Sequence, residues 1–329
     1  TGLPEVPLDR TYAVLDDMQR RYQAGGHSLH AVYQYRWRVA EHIGDRQAAD
    51  EWYQKWFTAP RDENSDCVGC DPTSKVAHLV ARGRDEEAVA LAEPVLAGAL
   101  TCSEQPQSIL TELLVPYLRT GRLEQAVNAH RRAYRALRDN RAVLTDIADH
   151  LYFCAVTGNQ ARGLELLERH LRWLERPPSP FAAMRFAAAG ALVLRRLTET
   201  GHGDQEVAGA GVPVAALRER LAERAVQLAA RFDARNGTRH QSTLVERVLA
   251  AEPLVDYLPL SPTAARLHAR RSGGTGGAAE PAAAAAAPDA PVADVLAEVE
   301  RLLRRGRGSA AEALWRELER RDLGDLDAA

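Results

Sequence analysis

The sequence predicts an all-α chain, a stack of antiparallel helix hairpins, and three observations carry that expectation. Ala, Leu and Val dominate the apolar 46% while aromatics make up only 6%, and Ala and Leu are strong helix formers. Glycines recur at 44, 83, 121 and 158, spaced 39, 38 and 37 residues apart, each between two amphipathic stretches. Five residues after each glycine stands a small residue: Ala49, Ala88, Ala126 and Gly163. A glycine closes a helix in the left-handed conformation that a β-carbon resists. A small residue one turn into the next helix lets two helices approach closely.

The elements follow in order. Residues 8–23 read as a first helix, closed by Gly25-Gly26. Four hairpins come next, over 27–43 with 46–58, 74–82 with 85–100, 107–120 with 123–137, and 141–157 with 160–174. Pro94 and Pro116 fall inside two of these helices and should kink or shorten them. In 123–137 the apolar stripe of Val127, Ala133 and Leu137 opposes Arg131, Arg132 and Arg135. Beyond Pro177-Pro178 the pattern loosens: 181–198 is an Ala-rich helix, 201–211 a break, 214–232 a charged amphipathic helix and 241–251 a shorter one. The last of these are expected to cap an array covering 1–262. Residues 272–291 are Gly/Ala/Pro-rich and read as a disordered linker. Residues 292–329 form one more hairpin around Gly306.

These residues resemble the tetratricopeptide repeat family. The likeness is strongest at Gly121-Arg122-Leu123-Glu124-Gln125-Ala126 and Gly83-Arg84-Asp85-Glu86-Glu87-Ala88, with Tyr117 and Tyr53 at the family's aromatic positions. It covers about 27–175 and is similar to the degenerate repeat proteins of high-GC actinobacteria. The period is longer than the family's, and Trp37, Val76, Leu114 and Leu151 replace its small residue in the first helix of each pair. The resemblance implies a right-handed superhelix, an α-solenoid, whose concave face takes a protein or peptide. It places Gln34, Arg38 and Glu41 on that face in the first hairpin and Tyr152 in the fourth. A solvated helix face is the alternative for each polar one.

The sharpest chemical motif is Cys67-Val68-Gly69-Cys70, followed by Asp71-Pro72, which suit a helix start. Cys102 lies past the end of the partner helix. In an antiparallel hairpin those two ends coincide, so Cys67, Cys70 and Cys102 are expected to converge. Three thiols point to a structural zinc site, with Asp66, Glu104 or a histidine as fourth ligand. Such a site would staple the loop between Pro60 and Asp71. The alternatives are buried free thiols, and a disulfide or redox switch pairing Cys70 with Cys67 or Cys102. His78 lies two turns into the helix, too far to join. Cys154 reads as a buried small hydrophobe. His27 and His30, spaced HxxH, read as surface and capping residues, with metal ligation as the alternative. Trp37, Trp52 and Trp56, with Tyr33, Tyr35, Tyr53 and Phe57, read as the core of the first hairpin, with a partner-facing patch as the alternative.

Other function classes are disfavoured. The 42 basic and 45 acidic residues nearly cancel, so nothing electrostatic favours nucleic acid or an anionic membrane. The apolar run 181–193 contains Arg185 and is too short to span a bilayer. No G-x-S-x-G, H-E-x-x-H or Walker loop is present, so a scaffold that binds another protein, rather than an enzyme, is the expectation. The alternatives are a thiol or zinc chemistry module, a redox switch or a metal-dependent activity, centred on Cys67, Cys70 and Cys102, and a sensory fragment of a larger regulator. Four cysteines do not make a disulfide framework, which makes cytoplasm the default compartment and the sequon at Asn236 a coincidence. The start at Thr1 rather than Met suggests a longer parent chain.

Overall fold

In the computed structural model Gly44, Gly83, Gly121 and Gly158 all adopt left-handed φ, between 67° and 81°, and each turns the corner between two helices. The structure describes residues 2–272 together with Val292, Val295, Leu296 and Val299. The chain divides into two units, residues 1–261 and 262–329. The linker expected at 272–291 and the hairpin expected at 292–329 lie outside the described residues, apart from those few positions.

The first unit runs α1 (Leu8–Ala24), α2 (His30–Ile43), α3 (Arg46–Thr58), α4 (Asp71–Ala81), α5 (Asp85–Leu96), α6 (Gln107–Glu112), α7 (Leu114–Arg119), α8 (Leu123–Leu137), α9 (Leu144–Val156), α10 (Gln160–His170), α11 (Pro180–Glu199), α12 (Val214–Asn236) and α13 (His240–Leu249). In the second unit α14 covers Pro262–Ser272; the sequence reading did not anticipate it. The fold is all-α and mostly helical, and its only strands among the described residues are the antiparallel pair Glu206–Val207 and Val212–Pro213. The first strand lies inside the stretch 201–211 expected as a simple break, and the second directly follows it.

Local chemistry sets the boundaries. Asp45 caps α3 by accepting the Ala48 N–H at 3.0 Å. Ser179 caps α11 through Ala182 N–H at 3.1 Å, with Pro180 in the first position, where its missing N–H has no partner to lose. Pro94 is tolerated inside α5, which stops at Leu96. The helix expected over 107–120 is broken at Leu113 into α6 and α7, because Pro116 has no N–H to continue the ladder.

The close approach expected after each corner is present. Ala49, Ala88 and Ala126 are completely buried. A β-carbon on Gly163 would lie 2.9 Å from both methyls of Val193 on α11. We expect Gly163→Leu to lower stability by about 3 kcal/mol, the upper range for overpacking a tight core. Equilibrium urea denaturation checks this. A loss below 1 kcal/mol would mean that α10 and α11 can part freely.

The last helices of the unit do more than shield an open end. Thr238 Oγ1 donates to the Ile43 carbonyl at 3.0 Å and Gln241 Nε2 to the His42 carbonyl at 2.6 Å. His42 packs edge-on against Phe181 of α11 and Phe232 of α12, with centroids 5.3 and 5.2 Å away. The first hairpin is thus joined directly to the last helices. With 20 and 23 residues, α11 and α12 are about 30–35 Å long at 1.5 Å per residue, long enough to reach back. After α13 the chain crosses the α9–α10 corner. Leu254 N–H donates to the Val156 carbonyl and Leu258 N–H to the Thr157 carbonyl, while Asn159 Nδ2 donates to the Leu258 carbonyl at 2.9 Å.

Candidate metal centre

Cys67 and Cys70 sit in the turn that leads into α4, and Cys102 in the loop between α5 and α6. The turn is built by its own backbone: Cys70 N–H and Asp71 N–H both donate to the Cys67 carbonyl, at 2.9 and 3.1 Å. Gly69 makes the approach to the other loop possible. A β-carbon there would meet the backbone of Thr101 at 3.1 Å. Gln105 Nε2 then ties the second loop to the start of α4 by donating to Thr73 Oγ1 at 2.7 Å.

The three sulfurs lie within 4.8 Å of one another, and Cys70 Sγ is 3.2 Å from Cys102 Sγ. All three cysteines are partly covered and unbonded. Their spacing suits chelation of one metal ion. Glu104 N–H donates to Cys102 Sγ at 3.3 Å, the kind of outer contact that steadies a thiolate ligand. Burial, reinforced by the two neighbouring sulfurs, pushes the Cys70 thiol up to about 12. Burial acts in the same direction on Cys67, but hydrogen bonds from Cys102, Gly69 and Cys70 bring it below the ordinary thiol range. One sulfur therefore loses its proton more readily than its neighbours. Three sulfurs this close do not all ionise unless a cation sits among them.

No histidine or carboxylate among the described residues joins that cluster. The expected fourth ligands are engaged elsewhere or stand apart. Asp66 accepts from its neighbour Cys67 N–H at 2.8 Å and from Gln34 Nε2 at 3.1 Å. His78 lies in a separate buried group on Trp37, Tyr53 and Glu41. His27 faces Asp62 and Glu63, at 3.8 and 3.6 Å.

The sequence expected Asp71 to cap α4 from outside, whereas it is the first helical residue and its carboxylate turns inward. Its carboxylate lies 3.2 Å from Nε2 of the buried His30 and pairs with Arg61. Arg61 also donates to the Asp66 carbonyl, so one guanidinium grips both ends of the cysteine turn. Lys75 lies over the Trp56 and Phe57 rings, at 5.0 and 5.1 Å. This polar frame prearranges the loop before any ion arrives.

The four residues assigned to a partner surface are not equivalent in the structure. Gln34 is fully buried and holds Asp66. Glu41 is ion-paired with Arg82 at 2.7 Å and hydrogen-bonded to His78 at 3.1 Å. Arg38 is exposed, its guanidinium 5.6 Å from the Tyr35 ring. Tyr152 is half-buried against the main core. Among the aromatics of the first hairpin, Trp37, Tyr53 and Trp56 form its core, whereas Tyr35 and Phe57 are exposed.

Two groups escaped the sequence reading. His130, His150 and His170 are buried together. His150 Nδ1 lies 3.0 Å from His130 Nδ1, and His170 Nε2 lies 3.1 Å from the Tyr134 hydroxyl. Cys154, expected from the sequence as a buried small hydrophobe, is fully buried, and its thiol is pushed up to about 12 by that burial. The second group is acidic. Burial, followed by the charge of Asp149, pushes Glu112 to about 8 and Asp146 to about 7. Asp149 is raised by burial and pairs with Arg185. Regular spacing of lone histidines and acids at wide intervals gives no sequence signal; only the packing of α6, α8, α9, α10 and α11 assembles them.

No helix among the described residues is long and apolar enough to cross a membrane. No protein-family model matches the chain, and no curated protein or solved structure proves similar to it.

Proposed function

We propose that this chain is a metal-thiolate module in which Cys67, Cys70 and Cys102 hold one thiophilic divalent ion, zinc first among them, on a helical scaffold. The observation that carries this reading is the mutual approach of three sulfurs, from two separate loops, to within 4.8 Å. Thiolates select soft and borderline ions. Zinc prefers four ligands, so three protein sulfurs leave one coordination position to a water or to a group supplied from outside the cluster. An exchangeable ligand at that position would make chemistry at the ion available. When bound, zinc would supply Lewis acidity at that position. The residues of the chain hold the ion, and Arg61, Asp71, Gln34 and Asp66 keep the loop in place.

The test is metal loading of the reduced, metal-free chain. We expect one zinc per chain, and an affinity that falls at least about a hundredfold in Cys67→Ser, Cys70→Ser and Cys102→Ser, with Cys154→Ser unchanged. Cobalt substitution should give sulfur-to-metal charge-transfer bands. Loading that is absent, or equally strong in the three single variants, would sink the reading.

A second reading is supported by the four left-handed glycine corners and the buried small residues that follow them. It is a tetratricopeptide-like array that presents a surface to a protein or peptide partner. Arg38 and Tyr152 would contribute to it, since Gln34 and Glu41 are committed inside the chain. Affinity capture with the intact chain against Arg38→Ala/Tyr152→Ala tests it: a protein retained by the intact chain alone supports the surface.

A further inference from the structure

One pair of the three sulfurs already stands close to bonding distance. Cys70 Sγ and Cys102 Sγ stand 3.2 Å apart, about 1.2 Å more than a disulfide bond of roughly 2.05 Å. Both supporting backbones are held at that separation. Gly69 lies close against the Thr101 backbone, where a β-carbon would come to 3.1 Å, and Gln105 bridges to Thr73. Cys67 and Cys70, although neighbours in sequence, are fixed in a turn closed by the Cys67 carbonyl. All three cysteines are reachable from solvent.

We propose that the cluster is a redox-gated metal site in which hydrogen peroxide joins Cys70 to Cys102 and thereby expels the ion. This deepens the metal-thiolate reading and rests on it for the release step. One sulfur of the pair attacks the peroxide oxygen. The O–O bond breaks, and a sulfenic acid and hydroxide form. The second sulfur then attacks the sulfenic sulfur, forming the S–S bond as the oxygen leaves as a second hydroxide. Protonation of the two hydroxides gives two waters. Two electrons pass from the sulfurs to the peroxide, and zinc stays divalent throughout. Both ligands contributed by this pair are consumed, so the ion is left with Cys67 alone and dissociates. A thiol reductant returns both sulfurs and restores the site.

The full-length chain, loaded with zinc and treated with stoichiometric hydrogen peroxide, tests this. Released zinc is followed with a chromogenic chelator, and cysteine pairing is mapped by mass spectrometry of a non-reducing digest. We expect one zinc released per Cys70–Cys102 disulfide, reversal by dithiothreitol, and the same disulfide in Cys67→Ser. A Cys67–Cys70 disulfide, oxidation to sulfinic acid without any disulfide, or zinc retained after the bond has formed would each overturn the proposal. The zinc-free chain is oxidised in parallel. If zinc never loads but Cys70–Cys102 forms there, the metal reading and its release step fall while the pairing stands. If zinc loads and that disulfide does not form, the redox gate falls and the metal site stands.

Discussion

Gly158→Ala is expected to destabilise the chain by about 4 kcal/mol, enough to remove much of a typical folding free energy. Two causes add. The residue holds φ +67° at the α9–α10 corner, where any β-carbon costs roughly 1–2 kcal/mol. The added methyl would also be driven into the Asp256 carbonyl of the segment that crosses this corner, and backbone cannot swing aside as a flexible side chain can. Overpacking of this kind costs roughly 1–3 kcal/mol. Gly83→Ala is the internal control. It has the same handedness, φ +72°, but nothing within 4 Å of the new carbon, so only the conformational cost of roughly 1–2 kcal/mol remains. Urea denaturation of the two variants measures the difference. Equal losses would show that the crossing segment does not press on the corner.

The second large effect is acid lability. Burial holds His30 and His170 down to about 4 and His42 and His130 to about 3. It holds His150 well below the ordinary imidazole value. A histidine whose folded pKa is depressed is neutral when folded but takes a proton when unfolded. Its stabilising contribution is complete above about 6.5 and is lost as pH falls towards the folded value. The carboxyls run the other way. Glu112, Asp146 and Asp149 are raised in the folded state, so acidification relieves them. Near pH 5.5 the five histidines take up protons on unfolding while Glu112 and Asp146, held at about 8 and 7, give theirs up, so protons are taken up on balance and stability falls as the pH drops. Melting temperature should therefore fall steadily from pH 6.5 to 5. A flat profile across that window would show that the histidines are not held neutral. His150 deserves the first substitution, because it bridges His130 and, at 3.5 Å, Thr111; His150→Gln should make the slope shallower by up to one proton.

The elements that could be read from the sequence are those whose cause is local. A glycine that must turn left-handed, followed one turn later by a residue that must be small, leaves a mark at a fixed spacing, and all four corners carry it. The convergence of Cys102 on Cys67 and Cys70 was legible for a related reason, since antiparallel geometry alone brings those two helix ends together. What stayed hidden depends on contacts between distant segments. Gln34 looked like a surface residue because nothing in its neighbourhood shows that Asp66 comes to meet it. Asp71 carries the residue type of a cap, and only the arrival of His30 and Arg61 turns it inward. The reach of α12 and α13 back to the first hairpin rests on Gln241 and Thr238, two ordinary polar side chains with no pattern around them.

That return to the first hairpin changes how the unit should come apart. A string of modules with two free extremities frays from either one, and its outermost pieces can be trimmed at little loss. Here the extremities hold each other through His42, Phe181 and Phe232, so neither can peel away without opening that aromatic junction. Amide exchange should accordingly be slow and nearly level from the second helix to the thirteenth, and deleting α13 should weaken α2 as much as its own neighbour α12.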